Sequence, residues 1–143
     1  MNKVAVVYWS GTGNTEQMAN CVAEGVQAAG GQADMLQPSQ FDGEKLGEYD
    51  AVAFGCPAMG AEELEESEFA PMFDGLEKDL KDRKVALFGS YGWGDGQWMR
   101  DWWDRCAAAG AVFCQEEGLM ANEAPDGEAQ EACRDLGRKL ASW

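Results

Sequence analysis

The sequence predicts a doubly wound α/β domain, a five-stranded parallel sheet in the order 2-1-3-4-5 with helices on both faces. Short apolar runs alternate with helical periods along all 143 residues, the pattern of repeated strand-helix-strand units. The apolar runs are continuous, as strands covered on both faces require. Three of the turns that follow strands are rich in glycine, and turns of this kind converge on a ligand where the strand order of such a sheet reverses.

The elements follow in order. The first strand is residues 4–8, and a helical period over about 14–29 is closed by Gly30-Gly31. Residues 33–36 form the second strand, and 44–46 add a short turn of helix. The third strand, 51–55, leads to a helix over about 67–80, with Ser67 as its cap and Pro71 tolerated in its first turn. The fourth, 85–89, leads to a helix over about 97–109 that Gly110 closes. Residues 111–114 are the fifth strand and run straight into Gln115-Glu116-Glu117-Gly118. Asp126, after Pro125, caps a last helix to about 141. No linker or low-complexity stretch interrupts this order, so residues 1–143 read as one domain.

Asp and Glu number 26 against 11 Lys and Arg, and the net charge is −15. That balance speaks against nucleic acid and anionic membranes, and for partners that are basic at least locally. Cys21, Cys56, Cys106, Cys114 and Cys133 form an odd set without a C-x-x-C pair, and there is no histidine. A disulfide framework, a zinc site and a histidine-based triad are poorly supported, and the thiols read as small buried hydrophobes in a reducing compartment. Cys56 stands apart because its loop would face a ligand. No apolar run approaches twenty residues and Asn2-Lys3 leads directly into a strand, so a cytoplasmic location is expected.

The first turn is Tyr8-Trp9-Ser10-Gly11-Thr12-Gly13-Asn14-Thr15, and no Lys or Arg occurs from Val4 to Glu44. A phosphate there would be held by neutral donors: backbone N–H groups at a helix N-terminus and the hydroxyls of Ser10, Thr12 and Thr15. A Walker loop needs Lys where Asn14 stands, and a dinucleotide fingerprint needs glycine where Glu16 stands. The plainer alternative is a strand-to-helix turn capped by Asn14 or Thr12. A receiver domain of the same topology would need an acidic residue where the third strand ends in Phe54-Gly55-Cys56.

Two further segments favour the cradle: Gly55-Cys56-Pro57-Ala58-Met59-Gly60-Ala61-Glu62 after the third strand, and Gly89-Ser90-Tyr91-Gly92-Trp93-Gly94-Asp95-Gly96 after the fourth. With these three segments in this order and spacing, the whole chain resembles the short-chain flavodoxins, FMN-carrying electron shuttles of anaerobic bacteria. The resemblance implies that Ser10, Gly11, Thr12, Gly13, Asn14 and Thr15 surround the FMN phosphate. It implies that Met59 and Trp93 sandwich the isoalloxazine ring near Tyr91, with Trp9 and Trp98 as packing residues. Ser90, Gly92 and the N–H groups of Trp93 and Gly94 would line the pyrimidine edge, Glu62 would accept from flavin N3, and Asn122, in the loop after the fifth strand, would reach the ribityl chain. Pro57 and Ala58 lead into the ring site, and Pro57 lacks the hydroxyl and N–H that a serine there would offer.

In the family, the peptide after the glycine matching Gly60 turns over on one-electron reduction, so that its carbonyl accepts from the protonated flavin N5. Glycine suits the positive φ of the flipped turn, which a Cβ would penalise by roughly 1–2 kcal/mol. One added hydrogen bond of ~1 kcal/mol moves a one-electron potential by about 40 mV. Ala61 stands where some relatives carry Asp. A phosphate charge left about 10 Å from a reduced ring repels it by roughly 1.7 kcal/mol at an effective dielectric of ~20, on the order of 70 mV. The implied protein is therefore a low-potential one-electron carrier with non-covalent FMN and a stabilised neutral semiquinone, with no metal and no catalytic acid, base or nucleophile.

The acidic run Glu62, Glu63, Glu65, Glu66 and Glu68 adjoins the implied flavin edge. It suits a helix start, and it would also steer the basic faces of oxidoreductases toward a monomeric carrier. Two rivals remain at this level. An FMN-dependent quinone reductase of the same fold would usually carry extra segments, and a flavin-free binding module would leave Met59 and Trp93 without a ligand.

Overall fold

In the computed structural model, which describes residues 1–143, the apolar runs become parallel strands: β1 (Lys3–Tyr8), β2 (Gln32–Leu36), β3 (Ala51–Gly55) and β4 (Lys84–Tyr91). β1 lies between β2 and β3, and β4 lies beyond β3, so the order is 2-1-3-4-5 as expected. The helices are α1 (Asn14–Ala28), α2 (Gly43–Leu46), α3 (Phe69–Leu76), α4 (Gln97–Ala108) and α5 (Gly127–Ser142).

Period-two alternation along each strand divides the core into two layers. Val4, Val6 and Tyr8 face the α1 and α5 side with Met18, Val22, Cys133 and Leu140. Ala5 and Val7 face the opposite layer, where Phe69, Phe73, Trp98 and Trp102 pack on Phe54 and Leu87. Glycine lets α1 and α5 meet backbone to backbone. A Cβ on Gly25 would stand 2.0 Å from the Arg134 carbonyl oxygen, and one on Gly137 would stand 2.1 Å from that of Val22.

The fifth strand position differs from the expected run 111–114. It is built in two pieces, β5 (Val112–Phe113) beside Lys84–Val85 and β6 (Leu119–Asn122) beside Phe88–Tyr91. Between them the chain leaves the sheet, and the Gln115 amide takes its place: Oε1 accepts the Leu87 N–H at 2.9 Å and Nε2 donates to the Leu87 carbonyl at 3.0 Å. Gly118 permits the return, since a Cβ there would lie 2.3 Å from the Met99 sulfur. Asn122 accordingly ends a strand rather than lying in the loop beyond it.

Two caps also differ from expectation. Neither Asn14 nor Thr12 caps α1, which is preceded by Gly13 at φ +97° with no side-chain cap. Ser67 does not cap α3. The Glu65 carboxylate does so, accepting the N–H groups of Ser67, Glu68 and Phe69 at 2.8–2.9 Å as well as the Ser67 hydroxyl. At α5 the Asp126 carboxylate accepts the Ala129 N–H at 2.8 Å, as the sequence implies.

Candidate functional site

The carboxyl ends of β1, β3 and β4 open onto a cavity of about 350 Å³ whose wall contains no Lys or Arg. The turn after β1 forms one side. Ser10 Oγ accepts the N–H groups of Gly13 (3.1 Å) and Glu16 (3.2 Å), which curls the loop over the start of α1. The N–H groups of Gly11, Thr12, Asn14 and Thr15 have no protein acceptor, and all four residues border the cavity. Gly13 does not border it, and its N–H is spent on Ser10. The positive end of the helix dipole and four unspent donors thus meet in one place, the chemistry that a phosphate takes.

The loop after β3 forms the second side and is clamped at both ends. The Cys56 N–H donates to the Phe88 carbonyl at 3.1 Å, the Cys56 carbonyl accepts Trp98 Nε1–H at 3.1 Å, and the Ala58 N–H donates to the Ser90 carbonyl at 3.0 Å. Met59 and Glu63 exchange backbone bonds of 2.8 and 2.9 Å, closing a loop over Gly60, Ala61 and Glu62. Gly60 has φ +48° and Glu62 φ +57°, and nothing lies within 4 Å of where a Gly60 Cβ would stand. Glycine is thus favoured at Gly60 by its backbone conformation rather than by want of room.

Pro57, Ala58 and Met59 reach the cavity, whereas Gly60, Ala61 and Glu62 stand outside its wall. The Glu62 carboxylate accepts the Gln97 N–H at 3.1 Å, at the start of α4. Cys56 is not a ligand-facing thiol. It is fully buried, its sulfur accepts the Glu65 N–H at 3.4 Å, and burial pushes its pKa up to about 12. Glu65 is likewise withdrawn from the acidic surface, being 5% exposed. Burial works against its charge, but the four hydrogen bonds at the start of α3 outweigh that and hold the carboxyl below its ordinary range.

The end of β4 contributes Ser90 and Tyr91 to the wall, and the turn after it contributes Gly92. Trp93 is 65% exposed and Met59 36%, conspicuous for large apolar side chains. Gly94, at φ +85°, lies against the Glu62 side chain, which a Cβ would strike at 2.5 Å.

Sequence reasoning missed two wall residues, Trp9 and Glu123. Trp9 packs against the core as expected but also shows a face to the cavity, held by an Nε1–H bond of 2.6 Å to Glu68. Glu123 takes φ +59° and donates its N–H to the Tyr91 carbonyl at 2.7 Å; its place depends on the register of β6, for which no local signal exists. Asn122 borders a wider hollow of about 800 Å³ between the β5–β6 edge and α5, and its Nδ2 lies 3.5 Å from the Tyr91 carbonyl. The larger hollow lies off to the side of the three loops, and the unspent donors converge on the smaller one.

FMN fits this donor set. The cradle offers N–H groups and hydroxyls without a cation, and the wall beside it offers the flat or apolar surfaces of Trp9, Pro57, Ala58 and Met59. The flavodoxin family model matches residues 6–137. The chain is 44% identical to the flavodoxin of Clostridium beijerinckii over 96% of its own length and 98% of that protein, and equally identical to that of Megasphaera elsdenii with the same coverage. The solution structure of two-electron reduced M. elsdenii flavodoxin superposes with a TM-score of 0.86 at 43% identity, covering 98% of this chain and 99% of that one. The chain belongs to the flavodoxin family: it carries FMN, and it is an electron-transfer protein serving redox enzymes rather than an enzyme itself.

Proposed function

We propose that residues 1–143 form one FMN-binding domain that works as a monomeric, low-potential one-electron carrier in the cytoplasm. The observation that carries this reading is the cationless cradle: four unspent N–H groups at the start of α1 and no Lys or Arg in the wall. Gly11, Thr12, Asn14 and Thr15 would hold the FMN phosphate through these groups, helped by the hydroxyls of Ser10 and Thr12. Its charge then stays uncompensated near the ring, which disfavours an anionic, fully reduced flavin and lowers the second potential. Binding is non-covalent, since the one thiol at the cavity loop is buried and occupied. All five thiols are free, in keeping with a reducing compartment.

Bound FMN supplies a ring that takes up electrons one at a time. Met59 and Trp93 would take its two faces, with Tyr91, Gly92 and Gly94 along its edge. The Met59–Glu63 bonds pin both ends of the loop while Gly60 leaves the Gly60–Ala61 peptide open on its outer side. That supports a peptide that reorients and offers its carbonyl to a proton at flavin N5, stabilising the half-reduced form. Glu62, already beside the Gly94 turn, would accept from flavin N3, and Asn122 would lie toward the ribityl chain. Redox partners would dock through basic faces.

Anaerobic reductive titration of the FMN-loaded protein tests the reading. Near-complete accumulation of a blue half-reduced species is expected. Direct passage from yellow to colourless would favour a two-electron quinone reductase, and apoprotein that fails to bind FMN would favour a flavin-free module.

A further inference from the structure

Thr15 and Ser90 lie 75 positions apart, yet their hydroxyls meet at 2.8 Å, and the Ser90 N–H donates to the same Thr15 oxygen at 3.3 Å. Thr15 is 1% exposed and Ser90 4%, both border the cavity, and neither hydroxyl bonds any other protein group. A hydroxyl has one proton to give and two lone pairs to fill.

Either arrangement leaves one proton without a protein acceptor, that of Ser90 if Thr15 donates and that of Thr15 if Ser90 donates, and Thr15 is the one whose own N–H belongs to the cradle. When Ser90 donates, its O–H and N–H fill both lone pairs of Thr15 Oγ1. The Thr15 proton then turns to the cavity, beside the unspent N–H groups of Asn14 and its own backbone. An anion in the cradle is the acceptor that both hydroxyl dipoles would point toward, and chained hydrogen bonds of this kind strengthen one another.

We propose that Ser90 is a positioning residue for phosphate recognition: by donating to Thr15 Oγ1 it commits the Thr15 proton to the phosphate of FMN. The hydroxyl of Ser90 therefore serves the phosphate end of the cofactor rather than the pyrimidine edge that the family resemblance implies. This rests on the reading that the α1 cradle takes the FMN phosphate.

The test compares FMN with riboflavin, which lacks the phosphate, by quenching of flavin fluorescence on titration into apoprotein. Ser90→Ala should weaken FMN about fivefold, roughly 1 kcal/mol, and leave riboflavin unchanged. Ser90→Cys fills the same space with a weak donor and should shift the FMN-to-riboflavin ratio the same way if the alanine variant fails to fold. Because Ser90 acts through Thr15, the Ser90→Ala/Thr15→Val double variant should show no lower ratio than Thr15→Val alone.

Four results would overturn the proposal. Equal weakening of both flavins would mean that Ser90 only supports the fold, and tighter FMN binding by Ser90→Ala would mean that Thr15 had been donating to Ser90. If Thr15→Val also leaves the ratio unchanged, the cradle reading itself falls and the relay with it; if Thr15→Val lowers the ratio while Ser90→Ala does not, the relay alone falls.

Discussion

A carboxylate with 5% exposure, four hydrogen-bond donors and no cationic partner is the least ordinary residue of this chain. Glu65 satisfies the first N–H groups of α3, and its own N–H reaches the Cys56 sulfur, so a single residue joins the start of α3 to the loop that presents Met59. Its folded pKa lies below the ordinary 4.5. The anion is therefore favoured by folding, and its contribution is complete above the unfolded-state value and lost as pH falls through the folded-state value. Glu65→Ala should cost about 2 kcal/mol at neutral pH, the scale of a lost cap with charged hydrogen bonds. The difference from the unsubstituted chain should begin to narrow as pH falls below the unfolded-state value of about 4.3 and stop narrowing once the native carboxyl has taken a proton. Urea unfolding of the apoproteins across this pH range checks the sign. A difference that stays constant with pH would mean that packing, and not the anion, supplies the stability.

Among the elements, the edge of the sheet carries the clearest prediction. Gln115 is a side chain doing the work of a strand residue, closing the gap between β5 and β6 by pairing both backbone groups of buried Leu87. Gln115→Ala leaves an N–H and a C=O unpaired beside the core and should destabilise by about 1–3 kcal/mol, read as a lower urea midpoint with an unchanged slope. Gln115→Glu can satisfy only the N–H and should fall no higher than halfway back. This edge also shows where sequence was informative and where it was not. β1, β3 and β4 were legible because their apolar runs are continuous, and the three cavity loops because glycine and hydroxyl residues act on their immediate neighbours. The split of the fifth strand was not, since Gln115 and Leu87 are 28 positions apart and no local pattern pairs them. The cap of α3 misled for a related reason. Ser67 satisfies the short-range capping preference, while Glu65 wins through its depth below the Cys56 loop. Thr15 and Ser90 were each legible as site residues, and their bond to each other was not.

At the scale of the whole molecule, the question is whether the charge of −15 acts as a bulk property or as a patch. Four of the eleven cationic side chains are spent locally: Arg100 on Asp95, Arg105 on Asp74 and Glu77, Arg134 on Glu24 and Glu131, and Arg138 on Glu131 and Asp135. Exposed pairs of this kind add little stability, but they leave the unpaired acids to set the field. Of the acidic run near the cavity, Glu65 is buried, Glu62 accepts a bond from the start of α4 and exposed Glu68 accepts Trp9 Nε1–H, so exposed Glu63 and Glu66 are the two whose carboxylates have no hydrogen-bond partner. Glu44 and Glu48 are equally exposed but lie before β3, at the amino ends of the strands and away from the cavity. Glu63→Lys/Glu66→Lys and Glu44→Lys/Glu48→Lys each add four charges and bring the net charge from −15 to −11. Electron transfer to cytochrome c, a basic one-electron acceptor, followed by stopped flow at rising ionic strength, separates the two possibilities. At about 0.1 M ionic strength the first pair should slow the reaction by about tenfold and flatten its salt dependence, while the second should change it less than about twofold, because screening beyond ~10 Å confines steering to charges near the docking face. Equal effects from the two pairs would make the charge a bulk property and remove the acidic rim from the recognition of basic partners.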